Sequence, residues 1–177
     1  MFDPTIYENI KVALEGAIYD FDFAGEILVT SRSDTVELAS MSRTYTIGFS
    51  ERHKKAEKGT TALLILSADA ADLVGEILEL PESEGRKFGC TLRVQFVMEI
   101  TDIARCRRIE EELNAIWSHR PLIMQELAFR YEPLELDEPA LYRNTITLDF
   151  GRKINEDNIG DIYNIVEHTV HSLRRLD

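Results

Sequence analysis

FGCTLRVQFVMEI, residues 88–100, sets an apolar side chain at every second position: Phe88, Cys90, Leu92, Val94, Phe96, Met98 and Ile100. Thr91, Arg93, Gln95 and Glu99 fill four of the six places between them. A period of two sends the two sets to opposite sides of a pleated strand, so this reads as a long strand with one buried face. It exceeds the usual upper strand length of roughly 10 residues, which predicts a bend or bulge near Gly89.

Upstream, Ala62 to Leu66 is apolar on both sides and belongs in the middle of a sheet. Ser67 can cap a helix running to about Glu79, with Ala70, Leu73, Val74, Ile77 and Leu78 on its buried stripe. Pro81 and Gly85 mark its exit. Towards the N-terminus, Asp3-Pro4 suits a helix start, and Ile6, Ile10 and Leu14 recur at helical spacing. The alternation Ile10-Val12-Leu14 fits a strand equally well. From Ala17 the period reads as two, with Tyr19, Phe21 and Phe23 on one side and Ile18, Asp20 and Asp22 on the other. Turns at Ala24-Gly25 and at Ser31-Arg32-Ser33-Asp34 then separate short strands at 26–30, 36–38 and 43–50. Short connections between alternating strands make an antiparallel meander.

Downstream, a helix starts at Thr101 or Asp102 and carries Cys106, Ile109, Leu113, Ile116 and Trp117 on its stripe. Pro121 breaks it and can open another helix, with Ile123, Leu127 and Tyr131 at helical spacing. An acidic connection over 132–142 leads to a last strand, in which Asn144, Ile146, Leu148 and Phe150 alternate with polar residues. Asn155 caps a final helix. The expected fold is α+β: a mostly antiparallel sheet of about six or seven strands, an N-terminal meander followed by β-α-β-α-α-β-α, with helices mainly on one face. At 177 residues the chain is expected to form a single domain.

With 32 acidic and 20 basic residues the formal charge is −12, and the acidic excess is spread along the chain. Nucleic acid and anionic lipid both need clustered Lys and Arg, so a protein partner or self-association is expected before nucleic acid, and no membrane contact. The acidic Met-Phe-Asp-Pro start lacks the layout of a signal peptide, and no apolar run approaches bilayer length, so a cytoplasmic location is expected. Two cysteines, Cys90 and Cys106, make a poor disulfide framework.

The common nucleotide-binding, hydrolase and zinc motifs are missing from the sequence. On a strand, Asp20 and Asp22 would point the same way about 7 Å apart and could share Mg²⁺ or Mn²⁺; they could equally just solvate an outer face. No other cofactor is expected. Arg52, His53, Lys54, Lys55 and Lys58 form the one locally basic loop, fit to contact an anionic partner or to keep a sheet edge soluble. His168 and His171 fall away from the apolar stripe of the last helix, on a solvated face. Cys106 stands among three arginines, which would lower a thiol pKa, yet the helical wheel turns it inward. Trp117, His119 and Arg120 form a helix corner with no evident catalytic partner.

The leading expectation is a non-enzymatic binding or regulatory module, acting through a protein surface or a small-ligand pocket. Two alternatives stand beside it. One is a divalent-cation-dependent enzyme acting on a phosphate-bearing or other anionic substrate; the other is an oligomerising structural protein.

Overall fold

A computed structural model describes residues 5–52, 59–78, 80, 87–130 and 141–177. In chain order the elements are α1 (Thr5–Phe23), β1 (Ile27–Glu37), β2 (Ser42–Glu51), β3 (Thr61–Ala68), α2 (Ala70–Ile77), β4 (Cys90–Ile100), α3 (Arg105–Trp117), β5 (Leu122–Phe129), β6 (Tyr142–Ile154) and α4 (Ile159–Leu176). A short 3₁₀ turn, Glu156–Asn158, capped by Asn155, leads into α4. The Asp3-Pro4 start, the exit of α2 at Pro81 and Gly85, and residues 131–140 of the acidic connection lie outside the described residues.

The six strands form one sheet in the order β1-β2-β3-β4-β6-β5. Every neighbouring pair is antiparallel. The alternation in β4 is realised as expected, with Cys90, Leu92, Val94, Phe96, Met98 and Ile100 all buried. The expected irregularity is present: Gly89 has φ 134°, and the pairing of β4 with β6 slips between Thr91 and Arg93. β3 is central, flanked by β2 and β4. Tyr45, Ile47, Phe49, Leu64, Leu66, Val94, Phe96, Ile146 and Leu148 build one buried sheet face. α1, α3 and α4 close it with Ile10, Leu14, Ile18, Leu113, Trp117, Val166, Val170 and Leu173.

Four segments differ from the reading of the sequence. The stretch from Ala17 to Phe23 is not a strand but the continuation of α1. Its buried residues, Tyr7, Ile10, Leu14, Ala17, Ile18 and Phe21, keep a helical period, and the two aromatics that looked equivalent part company, Phe21 being 9% exposed and Phe23 87%. The helix ends where Gly25, at φ 79°, donates to the Asp22 carbonyl at 3.0 Å while Glu26 donates to that of Phe21 at 3.1 Å. This paired closure needs a left-handed residue, which glycine supplies without strain.

Residues 31–34 are not a turn. β1 runs through them, with a bulge between Val29 and Ser31. Asp34 is spent on ion pairs to Arg43 at 2.8 Å and Lys11 at 3.0 Å, and the chain reverses later, around Met41 at φ 54°. Pro121 likewise opens a strand rather than a helix. Ser118 and His119, at φ 53° and 56°, turn the chain back after α3, and β5 then pairs along β6 from Leu122↔Asp149 to Phe129↔Tyr142.

α2 is shorter than expected and is capped by Asp69 rather than Ser67. The Asp69 side chain accepts from the Asp72 backbone N–H, and the Asp72 side chain accepts from that of Asp69. Val74, Ile77 and Leu78, expected inside, are exposed. The helix is held by Lys153, whose Nζ lies 2.5 Å from Asp72, by Glu76 accepting the Ile6 N–H at 2.8 Å, and by Phe88 packed on Gly75. A Cβ at Gly75 would lie 2.2 Å from the Phe88 ring.

Candidate functional site

The strand that would have aligned Asp20 and Asp22 is not formed. In the last turns of α1, residues two apart point about 200° away from each other, so the two carboxylates do not share a face. Asp20 is exposed. Asp22 receives Arg52 at 2.6 Å on its carboxylate and at 3.0 Å on its carbonyl, while Arg52 also donates to the Ile27 carbonyl at 3.2 Å. Arg52 therefore ties the end of β2 to the end of α1 and the start of β1. His53, Lys54, Lys55 and Lys58 lie outside the described residues. Among the described residues no three His, Cys, Asp or Glu side chains are grouped to hold a metal ion, and no helix is long and apolar enough to cross a membrane.

His168 and His171 are both exposed on α4. His168 Nδ1 hydrogen-bonds the Asn164 carbonyl at 2.7 Å, and its ring centroid is 5.4 Å from that of Trp117. Trp117 is buried and donates to Ser172 Oγ at 2.9 Å, which makes the corner a packing feature. Burial raises the Cys106 thiol above its ordinary pKa, and raises that of Cys90 to about 12. Neither thiol is primed as a nucleophile, because the thiolate is the reactive form.

A buried polar set was not legible in the sequence. Asn144 is fully buried in β6 and donates to Gln125 Oε1 at 2.9 Å, while Gln125 donates to the Cys106 carbonyl at 2.8 Å. Asn144 Oδ1 has no hydrogen-bond partner among the described residues. The only trace of this in the sequence is a polar residue in an otherwise apolar row.

A cavity of about 230 Å³ is lined by Arg105, Arg108, Ile109, Glu112, Arg175, Leu176 and Asp177. Its cations are partly spent inside it: Arg105 donates to the Leu176 carbonyl at 2.8 Å and Arg108 stands 3.8 Å from Glu112. It is also smaller than ordinary ligand pockets, which run from roughly 300 to 1,000 Å³.

The other side of the sheet is different in kind. No described helix covers it. Reading across β2-β3-β4-β6-β5, one row holds Gly48, Leu63, Gln95, Thr147 and Met124, and the next Thr46, Ile65, Arg93, Asp149 and Leu122. The polar members partner one another, Gln95 with Thr147 at 3.1 Å and Arg93 with Asp149 at 2.8 Å. What they leave is a flat platform of apolar and hydroxyl groups that ends at β5.

β5 carries this platform to an edge. Its outer side pairs with no described strand. Leu122 is 65% exposed, Met124 46% and Phe129 62%, and Glu126 is the only charge within LIMQELAF. Natural sheets usually blunt such an edge with Lys, Pro or a bulge. The opposite edge, β1, has those defences: a bulge, Arg32 paired with Glu15 at 2.9 Å, and Asp34 paired with Arg43. β5 has only Glu126 and the Pro121 that precedes it.

Compared with protein-family models, with characterised proteins and with solved structures, the chain matches none.

Proposed function

We propose that this protein is a binding module that takes up an extended polypeptide segment along β5, with the neighbouring open sheet face as its floor. One observation carries the reading: an eight-residue edge strand with exposed apolar side chains, a single charge, and no described strand along its outer side. An added strand hydrogen-bonds to the outer backbone N–H and C=O groups of such an edge, while alternate side chains of the guest fall beside Leu122 and Met124 and extend the open face.

The distribution of charge supports a binding role over catalysis. The close ion pairs link elements to one another: Glu8 and Asp34 with Arg43, Asp22 with Arg52, Glu26 with Arg174, Asp72 with Lys153. They serve as ties between helices and sheet rather than as a converging set.

The test is selection of a random peptide display library on the immobilised protein. The expected winners alternate apolar and polar residues with a period of two and lose binding to a Leu122→Lys/Met124→Lys variant. Winners with helical spacing, or winners that bind the variant equally well, would overturn the reading.

A further inference from the structure

Along one face of α3, Arg105, Arg108, Ile109 and Glu112 meet Arg175, Leu176 and Asp177 at the end of α4, and the cavity of about 230 Å³ lies between them. In a chain of charge −12 this crevice gathers three guanidinium groups, and little there neutralises them. Arg105 donates to a neutral acceptor, the Leu176 carbonyl. Arg108 lies 3.8 Å from Glu112, too far for a hydrogen bond. Arg175 is exposed and makes no hydrogen bond or ion pair with a described residue. The Asp177 carboxylate accepts the Thr60 N–H at 2.7 Å. The neighbouring arginines outside the crevice are, by contrast, occupied: Arg107 with Glu111 at 3.1 Å and Arg174 with Glu26 at 2.6 Å. α3 also has no acidic residue in its first turn and no side-chain cap. Arginines at that end oppose the helix dipole, a local cost that a bound anion offsets.

We infer that this crevice binds a small phosphate monoester, its phosphate among the three guanidinium groups and its short carbon body against Ile109 and Leu176. The planar fork of a guanidinium matches phosphate oxygens in pairs, and a dianion with three terminal oxygens engages several forks at once. The volume sets the size of the ligand. It lies below the roughly 300–1,000 Å³ of pockets for larger ligands, which leaves room for a phosphate and a few carbons but not for a nucleotide. Glu112 is the repulsive neighbour in the site, so affinity is set by the arginines against it. The crevice shares no residue with the β5 edge, and neither role depends on the other.

The experiment titrates glycerol phosphate, inorganic phosphate and sulfate, at matched ionic strength, into the full-length protein by calorimetry. Glycerol phosphate is expected to bind saturably and more tightly than either inorganic anion. Arg108→Ala/Arg175→Ala should weaken it about tenfold, the increment of two exposed ion pairs. Both side chains are exposed, so the fold is kept, and an unchanged urea melt verifies it. Glu112→Gln should tighten binding severalfold by removing the repulsive carboxylate. Leu122→Lys/Met124→Lys should leave it unchanged, which separates this site from the docking edge. No binding of glycerol phosphate, or equal affinity in the arginine variant, overturns the inference. An ester that binds no more tightly than sulfate marks an adventitious ion only, and overturns it as well. If a short phosphoserine peptide binds more tightly than glycerol phosphate and competes with it, the ligand is a phosphorylated protein and the small-molecule class falls.

Discussion

Ser118 and His119 hold consecutive left-handed backbone conformations, at φ 53° and 56°. For a residue with a Cβ this costs roughly 1–2 kcal/mol. A β-branched residue fits worst, so His119→Val is expected to lower stability by about 1–2 kcal/mol. His119→Gly should match or exceed the natural protein in a urea melt, since relieved strain offsets the extra freedom of glycine in the unfolded chain. The corner matters because it turns the chain from α3 into β5 and so sets the edge in place.

Asp34 gives a pH signature. The Arg43 guanidinium beside it holds its carboxyl below the usual carboxylate range. A carboxyl with a depressed folded pKa adds stability above its unfolded value of about 3.9, and that stability is lost as pH falls through the folded value. Asp34→Asn is expected to lower the urea midpoint at pH 7 by an amount equivalent to roughly 1 kcal/mol. It should also flatten the decline between about pH 5 and pH 2 relative to the natural protein. Parallel curves displaced by a constant would show that Asp34 is not the titrating group.

Beneath α3, Gln125 and Asn144 form a pair whose deletion is not additive. Gln125→Leu strands an amide N–H of Asn144 inside the protein, an expected loss of about 1–3 kcal/mol. The double replacement Gln125→Leu/Asn144→Leu should cost less than the sum of the single changes, because it also removes the unpaired Asn144 Oδ1. Chemical denaturation of all four proteins of the cycle measures the coupling.

At the scale of elements, the legible parts of the sequence are those whose one buried face is strongly apolar. β4 and α4 announce themselves because every face-forming position is apolar and every intervening one tolerates polarity. α1 was ambiguous for a local reason: Tyr19, Phe21 and Phe23 imitate a strand, and only the burial of Leu14, Ala17 and Ile18 behind them shows the helical period. β5 was hidden by its position. An edge strand with an open face buries neither side fully, so the period of two is diluted, and Ile123 and Leu127 are left to suggest a helix. The candidate site was illegible for the same reason, since exposure at an edge is a property of the sheet order and not of the residues. Two predictions belong here. Asp69→Ala removes the cap of α2 and should cost about 1 kcal/mol by thermal melt. Met124→Lys, on the exposed side of β5, should change stability by no more than about 0.5 kcal/mol while weakening uptake of the guest.

At the scale of the whole molecule, the α+β class and the central place of β3 follow from pattern alone, whereas whether helices cover one sheet face or both does not. Nor does the sheet order. Nothing in the residues of β6 says that it inserts beside β4 and keeps β5 away from it, and that one choice leaves β5 at the edge of the described sheet. It has a further consequence for how the protein is made. A chain growing from its N-terminus releases β4 and then β5 before β6 exists. Among the described strands β5 pairs only with β6, and β4 has its second neighbour only when β6 arrives. At roughly 5–20 residues added per second, both lie open for an interval of seconds, so the nascent protein passes through a stage in which one side of β4 and both sides of β5 lack a partner, where the finished one leaves only one of those three sides without a described strand.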